Sequence, residues 1–96
     1  MTADNSILYF WNASCSVCEP LYAKLKVMIE SDFPKLSLKK IDVSASPELR
    51  VQYRVFSSPV ILLLIDGKEY LRTGGSTSLI ELKQKVGRLY QIKFEN

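Results

Sequence analysis

Six consecutive apolar residues, V-I-L-L-L-I at 60–65, set the strictest condition on any fold of this chain. A strand with one face in water alternates apolar and polar side chains. This run does not alternate, so both of its faces must be covered, as in the sheet of an α/β fold. Its ends are marked. Pro59 cannot donate a ladder hydrogen bond and is tolerated at the very first residue of a strand. Asp66-Gly67 is a strong two-residue hairpin signal, so 60–65 should pair antiparallel with 68–73, where Tyr70 and Arg72 alternate with Glu69 and Leu71. For the Ser58–Pro59 bond local sequence favours trans, since only about one X-Pro bond in twenty is cis, although a cis bond fits a tight turn here.

A second apolar run, I-L-Y-F-W at 7–11, reads as another buried strand, 6–11 in all. A short polar break, Asn12-Ala13-Ser14, separates it from Cys15 and Cys18, the only two cysteines of the chain. Val17, Leu21, Leu25 and Ile29 then recur at helical spacing, predicting a helix over 16–31 with one apolar stripe. The two sulfurs thus fall where a strand hands over to a helix, with Cys15 at or just before the first turn. Backbone N–H groups there lack intrahelical partners and the dipole end is positive. Both favour a thiolate, which lowers the pKa of Cys15 from its free value of about 8.5 and makes it the nucleophile of thiol–disulfide exchange. Cys18, one turn further in and less exposed, is placed to resolve a mixed disulfide at Cys15.

Other uses of the pair are weaker. A zinc site of the Cys/His kind needs about four ligands, and the chain has no His and no third Cys; only a metal-sharing dimer or carboxylate ligands would complete one. A bridge this local removes little chain entropy, so a purely structural disulfide has little to offer. Two unrelated buried cysteines remain the plainest alternative. No metal site and no cofactor is expected.

Length and charge exclude more. Ninety-six residues suffice for a single domain, 1–96. A composition of 47% hydrophobic and 24% charged residues is that of a globular chain rather than a disordered one. Net charge is +3, from 13 Lys+Arg against 10 Asp+Glu, with no basic block to suggest nucleic acid. Lacking His, the chain cannot run a His-dependent Ser or Cys hydrolase mechanism. The polar, acid-bearing start does not read as a secretory signal, and 60–65 is too short to span a bilayer. A cytoplasmic monomer is the expectation.

The remaining elements follow in order. Residues 1–5 read as a loose end. Glu19 and Pro20 suit a first helical turn, and Phe33-Pro34 ends that helix. Residues 36–43 read as a strand with Leu36, Leu38 and Ile41 or Val43 inward and Lys39 and Lys40 near solvent. Asp42 is expected to be a solvated cap residue rather than a charge of the site. Ser46-Pro47 starts a short helix, 47–53, with Leu49 and Tyr53 on one face. Gly74-Gly75 permits a turn or a close backbone approach. Ser78-Leu79-Ile80-Glu81 fits a capping box. The last helix is predicted over 76–89 with Leu79, Leu82, Val86 and Leu89 on its apolar face, and 90–96 as a fraying end. The order is β-α-β-α-β-β-α: an α/β fold with a four-stranded mixed sheet and helices on both faces.

With these motifs the chain resembles the thioredoxin family. F-W-N-A-S-C-S-V-C at 10–18, K-K-I-D-V at 39–43, S-S-P-V at 57–60, I-D-G-K at 65–68 and Gly74-Gly75 carry the resemblance, which covers most of the chain. It implies a thioredoxin-like fold in a minimal form, starting at the strand before the cysteine pair. It implies that Pro59 is the family's cis-proline, facing the cysteines across a substrate groove, and that Cys15 attacks while Cys18 resolves. By the same resemblance Ser58 offers its backbone N–H and C=O to an extended substrate segment, and Trp11, Ser16, Val17 and Gly74 complete the substrate-binding surface.

Departures from the family pattern are specific. Ser16-Val17 stands where thioredoxins proper have Gly-Pro, Ser14 where they have a second Trp, and Tyr9 where they have a buried acid. The expected activity is exchange of disulfides with protein substrates through the Cys15–Cys18 dithiol, with a thioredoxin-reductase-like or glutathione electron donor. The pair is expected to be more oxidising than that of a Gly-Pro thioredoxin. The alternatives are a glutaredoxin-like, glutathione-dependent reductase, for which Arg54 and Lys39 are the only near cations, and a redox-inactive interaction module of the same fold.

Overall fold

The computed structural model describes residues 5–74 and 78–95. The loose end at 1–4, Gly75, the predicted helix start at 76–77 and Asn96 lie outside the described residues.

The elements are β1 (Ser6–Trp11), α1 (Cys18–Asp32), β2 (Ser37–Asp42), α2 (Pro47–Gln52), β3 (Val60–Ile65), β4 (Lys68–Gly74) and α3 (Leu79–Phe94). They form one four-stranded sheet in the order β2-β1-β3-β4. β1 runs parallel to β2, with Ser6 opposite Ser37 and Trp11 opposite Asp42. β3 is antiparallel to both neighbours, pairing Phe10 with Val60 on one side and Val60 with Gly74 on the other. The end of β1, the start of β3 and the end of β4 therefore share one rim of the sheet.

The apolar runs are buried because the strands that carry them are central. All six side chains of β3 are buried. Alternation sends them to opposite faces. Ile7, Tyr9, Ile61, Leu63 and Ile65 pack with Cys18, Leu25 and Ile29 of α1 and Leu82, Val86 and Tyr90 of α3. Leu8, Phe10, Val60, Leu62 and Leu64 pack on the other face with Val55 and, partly buried, Ile41, Val43 and Tyr53. Helices thus lie on both faces, though α2 itself buries no residue fully and Val55, just after it, does.

Several boundaries move from the sequence reading. Helix α1 begins at Cys18 rather than at residue 16, and Val17, expected on its apolar stripe, is 55% exposed. The cause is a pair of turns ahead of the helix, closed by Cys15 N–H to the Asn12 carbonyl (3.2 Å) and Cys18 N–H to the Cys15 carbonyl (3.3 Å). Strand β2 is shorter than 36–43, with Leu36 buried just outside it and Val43 half-buried beyond its end. Helix α2 stops at Gln52, one residue short of the expected 53, and Ser46 caps it without a side-chain hydrogen bond. On β4 the register passes from Leu63–Leu71 to Leu64–Glu69, so Tyr70 is the extra residue of a bulge that breaks the expected alternation.

Helix α3 is the largest revision. Ser78 caps it, its hydroxyl accepting from Glu81 N–H at 3.0 Å. The helix then runs on to Phe94, where a fraying end was expected from residue 90. Tyr90 is buried against Phe33 and Phe94, with ring centroids 5.2 and 4.7 Å away, and its hydroxyl accepts from Lys35 N–H. Lys93 pairs with Asp66 at the hairpin, 2.9 Å. Those contacts give the last turns a tertiary reason to persist that periodicity alone does not reveal.

Candidate redox site

Cys15 and Cys18 are joined as a disulfide, with Cα atoms 5.4 Å apart. The two sulfurs are not equivalent. Cys15 is half-buried in the turn before α1, whereas Cys18, the first residue of α1, is 1% exposed. Burial follows from position: Cys18 faces the sheet with Leu25 and Ile29, while Cys15 lies three residues ahead of the helix. Ser16 and Val17 between them are exposed.

Asn12 builds the turn that carries Cys15. Its Oδ1 accepts from Ser14 N–H (3.0 Å) and from the Ser14 hydroxyl (2.8 Å), the side-chain turn for which Asn is suited. Its Nδ2 donates to Ser58 Oγ at 2.8 Å. One side chain therefore ties the cysteine loop to the residue before Pro59. Sequence reasoning read Asn12 only as part of a polar break; the signal available was an Asn two residues before a Ser at a strand end.

The Ser58–Pro59 peptide bond is cis, where local sequence alone favours trans. Pro59 is buried at the start of β3 and Ser58 is half-buried. The approach to them is held from the far side by Arg72 on β4. Its guanidinium donates to the carbonyls of Tyr53 and Arg54 and to both carboxylate oxygens of Glu69. Hydrogen bonding to Arg72 lowers the Glu69 pKa. Gly74, opposite Val60, lines a cleft with Arg54, Phe56 and Ser57.

Beneath the pair lies Tyr9, fully buried. Its hydroxyl donates to the Cys18 carbonyl at 2.7 Å, and its ring packs on Tyr22 with centroids 5.5 Å apart. Burial, helped by the negative Glu19, pushes its pKa up to about 12. At neutral pH this phenol keeps its proton and gives the site a donor rather than a base.

Trp11 is half-buried at the end of β1. Lys40 Nζ lies 4.5 Å from its ring centroid and 4.6 Å from that of Tyr22, and it donates to both Glu19 carboxylate oxygens at 2.8 and 3.0 Å. Glu19 is thus committed to a cation. Asp42 accepts from Ser44 N–H through Oδ1 at 2.9 Å, the cap role expected of it. Lys39, exposed on β2, is not among the residues lining the Arg54 cleft. Among the described residues no cluster of three or more His, Cys, Asp or Glu could hold a metal ion.

The sequence profile of the family described as Thioredoxin matches residues 2–88. The thioredoxin-like protein YdfQ of Bacillus subtilis (strain 168) is 32% identical over 87 residues, covering 91% of this chain and 77% of that one. A thioredoxin of Chlamydia trachomatis serovar D is 33% identical over 82 residues, covering 82% of this chain and 79% of that one. Among solved structures, thioredoxin 1 from the thermophilic eubacterium Thermosipho africanus TCF52B superposes with a TM-score of 0.83 at 27% identity, over 92% of this chain and 97% of that one.

Proposed function

The chain belongs to the thioredoxin family, and from that premise we propose how its residues divide the work. It is a thiol–disulfide oxidoreductase exchanging disulfides with proteins, its electrons coming from a reductase-type donor. In our reading the reduced Cys15 thiolate attacks a substrate disulfide. One substrate sulfur leaves as a thiolate and takes up a proton, and a mixed disulfide joins the other to Cys15. The Cys18 thiolate then attacks the Cys15 sulfur, expelling the second substrate sulfur and closing the Cys15–Cys18 bond. Two electrons pass to the substrate; the donor returns them.

The observation that carries these roles is the asymmetry of the pair: Cys15 half-buried ahead of α1, Cys18 buried within it. The attacking sulfur must meet a large partner, while the resolving one has to reach only its neighbour three residues away. Ser58 and Pro59 would receive an extended substrate segment by backbone pairing, with Trp11, Ser16, Val17 and Gly74 around it. The Asn12–Ser58 hydrogen bond supports that arrangement by tying the two loops together. Tyr9 holds its own proton at neutral pH and so does not take that of Cys18.

We place this activity in the cytoplasm, in a monomer acting as one domain, 1–96. In support, the chain's cysteines number only two, both in the redox pair, so folding draws on no separate structural disulfide. No helix among the described residues is long and apolar enough to cross a membrane.

The test is the Cys15–Cys18 equilibrium in a glutathione redox buffer, read by thiol alkylation and mass. A reversible two-electron transition is expected, with a midpoint above the roughly −270 mV of thioredoxin because Ser16-Val17 replaces Gly-Pro. A pair that never closes across the whole range overturns the redox roles.

A further inference from the structure

Next to the cysteine loop, on its α3 side, runs a groove of about 560 Å³ bordered by Val17, Pro20, Leu21, Lys24, Leu79 and Ile80. It lies between the start of α1 and the start of α3, two elements that no part of the exchange chemistry above requires to be open. Most of its border is apolar, yet it faces solvent: Ile80 is 73% exposed and Val17 55%. Scattered exposed apolar residues are ordinary, but here they converge on one concavity beside a reactive pair. Among the described residues the one charged side chain on the border is a cation, Lys24.

We propose that this groove receives an apolar side chain, with an acidic neighbour, from the protein segment joined to Cys15 in the mixed disulfide. The proposal rests on the redox reading above and adds a sequence preference to it. Continuity identifies the occupant. Ser16 and Val17 border the groove and also stand between the two cysteines, so a polypeptide bonded to Cys15 has its adjoining residues over this ground. Burying an apolar side chain there covers Val17 and Ile80 together, and the Lys24 ammonium favours an acid at the rim over a base. A small disulfide carries no such side chain and gains nothing from the groove.

The experiment uses the reduced full chain and three probes, with rates read by quenched alkylation. Two are disulfide-bridged peptides that differ only beside one bridge cysteine, Leu-Asp in the first and Gly-Lys in the second; the third is hydroxyethyl disulfide. The wild-type chain should reduce the Leu-Asp peptide about tenfold faster than the Gly-Lys peptide. Ile80→Ser and Lys24→Glu, both at exposed positions, should each cut that preference about threefold or more while leaving hydroxyethyl disulfide reduction unchanged. Equal rates for the two peptides overturn the proposal, as does equal slowing of the peptides and hydroxyethyl disulfide in the variants. Self-association of the wild type that Ile80→Ser abolishes would assign the groove to a second copy and likewise overturn it. Inability of the wild-type chain to reduce hydroxyethyl disulfide is a separate result, which removes the redox reading itself.

Discussion

Asn12 and Ser58, 46 residues apart, share a 2.8 Å hydrogen bond that couples the turn bearing Cys15 to the residue preceding Pro59. Asn12→Ala removes that bond and both side-chain contacts to Ser14. A part-buried hydrogen bond contributes roughly 0.5–1.5 kcal/mol, so a loss of about 1–2 kcal/mol in unfolding free energy is expected. Disulfide reduction should slow by more than stability loss alone explains, because the two loops lose their common anchor. Denaturant unfolding with Asn12→Ala, Ser58→Ala and the double variant measures the coupling; strictly additive losses would show that the bond does not join the loops.

Tyr9 makes stability fall at high pH. Its pKa in the fold is about 12, above the ordinary 10, because burial penalises the phenolate. Between about pH 10 and 12 the unfolded chain gives up this proton while the folded chain keeps it, so the unfolded state binds fewer protons and stability declines as pH rises. Below pH 10 the contribution is fully present. Tyr9→Phe should remove this share of the alkaline decline and, at neutral pH, cost about 1 kcal/mol for the lost bond to the Cys18 carbonyl. Chemical denaturation at pH 7 and at pH 11 decides it: an unchanged difference between the two conditions in the variant would contradict the assignment.

The two cysteines should fail differently. Cys15→Ser is expected to abolish reduction of a protein disulfide, whereas Cys18→Ser should still attack and then stall as a trapped mixed disulfide. Non-reducing electrophoresis and mass spectrometry after mixing with a disulfide-bonded protein read this directly. Equal trapping by both variants would overturn the division of roles.

Lys40 is expected to steady the Trp11 side of the site. Its ammonium lies over two aromatic rings and bonds Glu19, whose side chain is 63% exposed. Lys40→Met keeps much of the stem and removes the charge. Exposed cation–π and ion-pair contacts contribute roughly 0.5–1 and 0–1 kcal/mol, so a loss on the order of 1 kcal/mol is expected. Trp11 is the only tryptophan, so its fluorescence emission should shift as well, with Lys40→Arg restoring both readouts. Unaltered emission and melting temperature in Lys40→Met would refute the role.

What the sequence made legible was whatever depends on neighbours in the chain. The unbroken apolar run of β3, the Asp66-Gly67 turn and the strand–cysteine–helix passage are local patterns, and each appears where local physics puts it. The cysteine pair was legible for the same reason. Hidden were the features fixed by distant partners. Asn12 acquires its role from Ser58, and Glu19 is engaged by Lys40, 21 residues away. Tyr90 and Lys93 extend α3 past the predicted end because Phe33 and Asp66 meet them. Helix α1 starts late because hydrogen bonds in the preceding turns outcompete the helical spacing of Val17. The β4 bulge at Tyr70 arises from register against β3, which no alternation pattern encodes.

Strand β3 lies between β1 and β4 with every side chain buried. Its amides can exchange with solvent hydrogen only when the whole sheet opens, at a free energy close to that of global unfolding. Pro59 stands directly before this strand, so the chain that follows the cis bond enters the last part of the molecule to let deuterium in. The cysteine turn before α1 sits on the outside of that slow-opening unit.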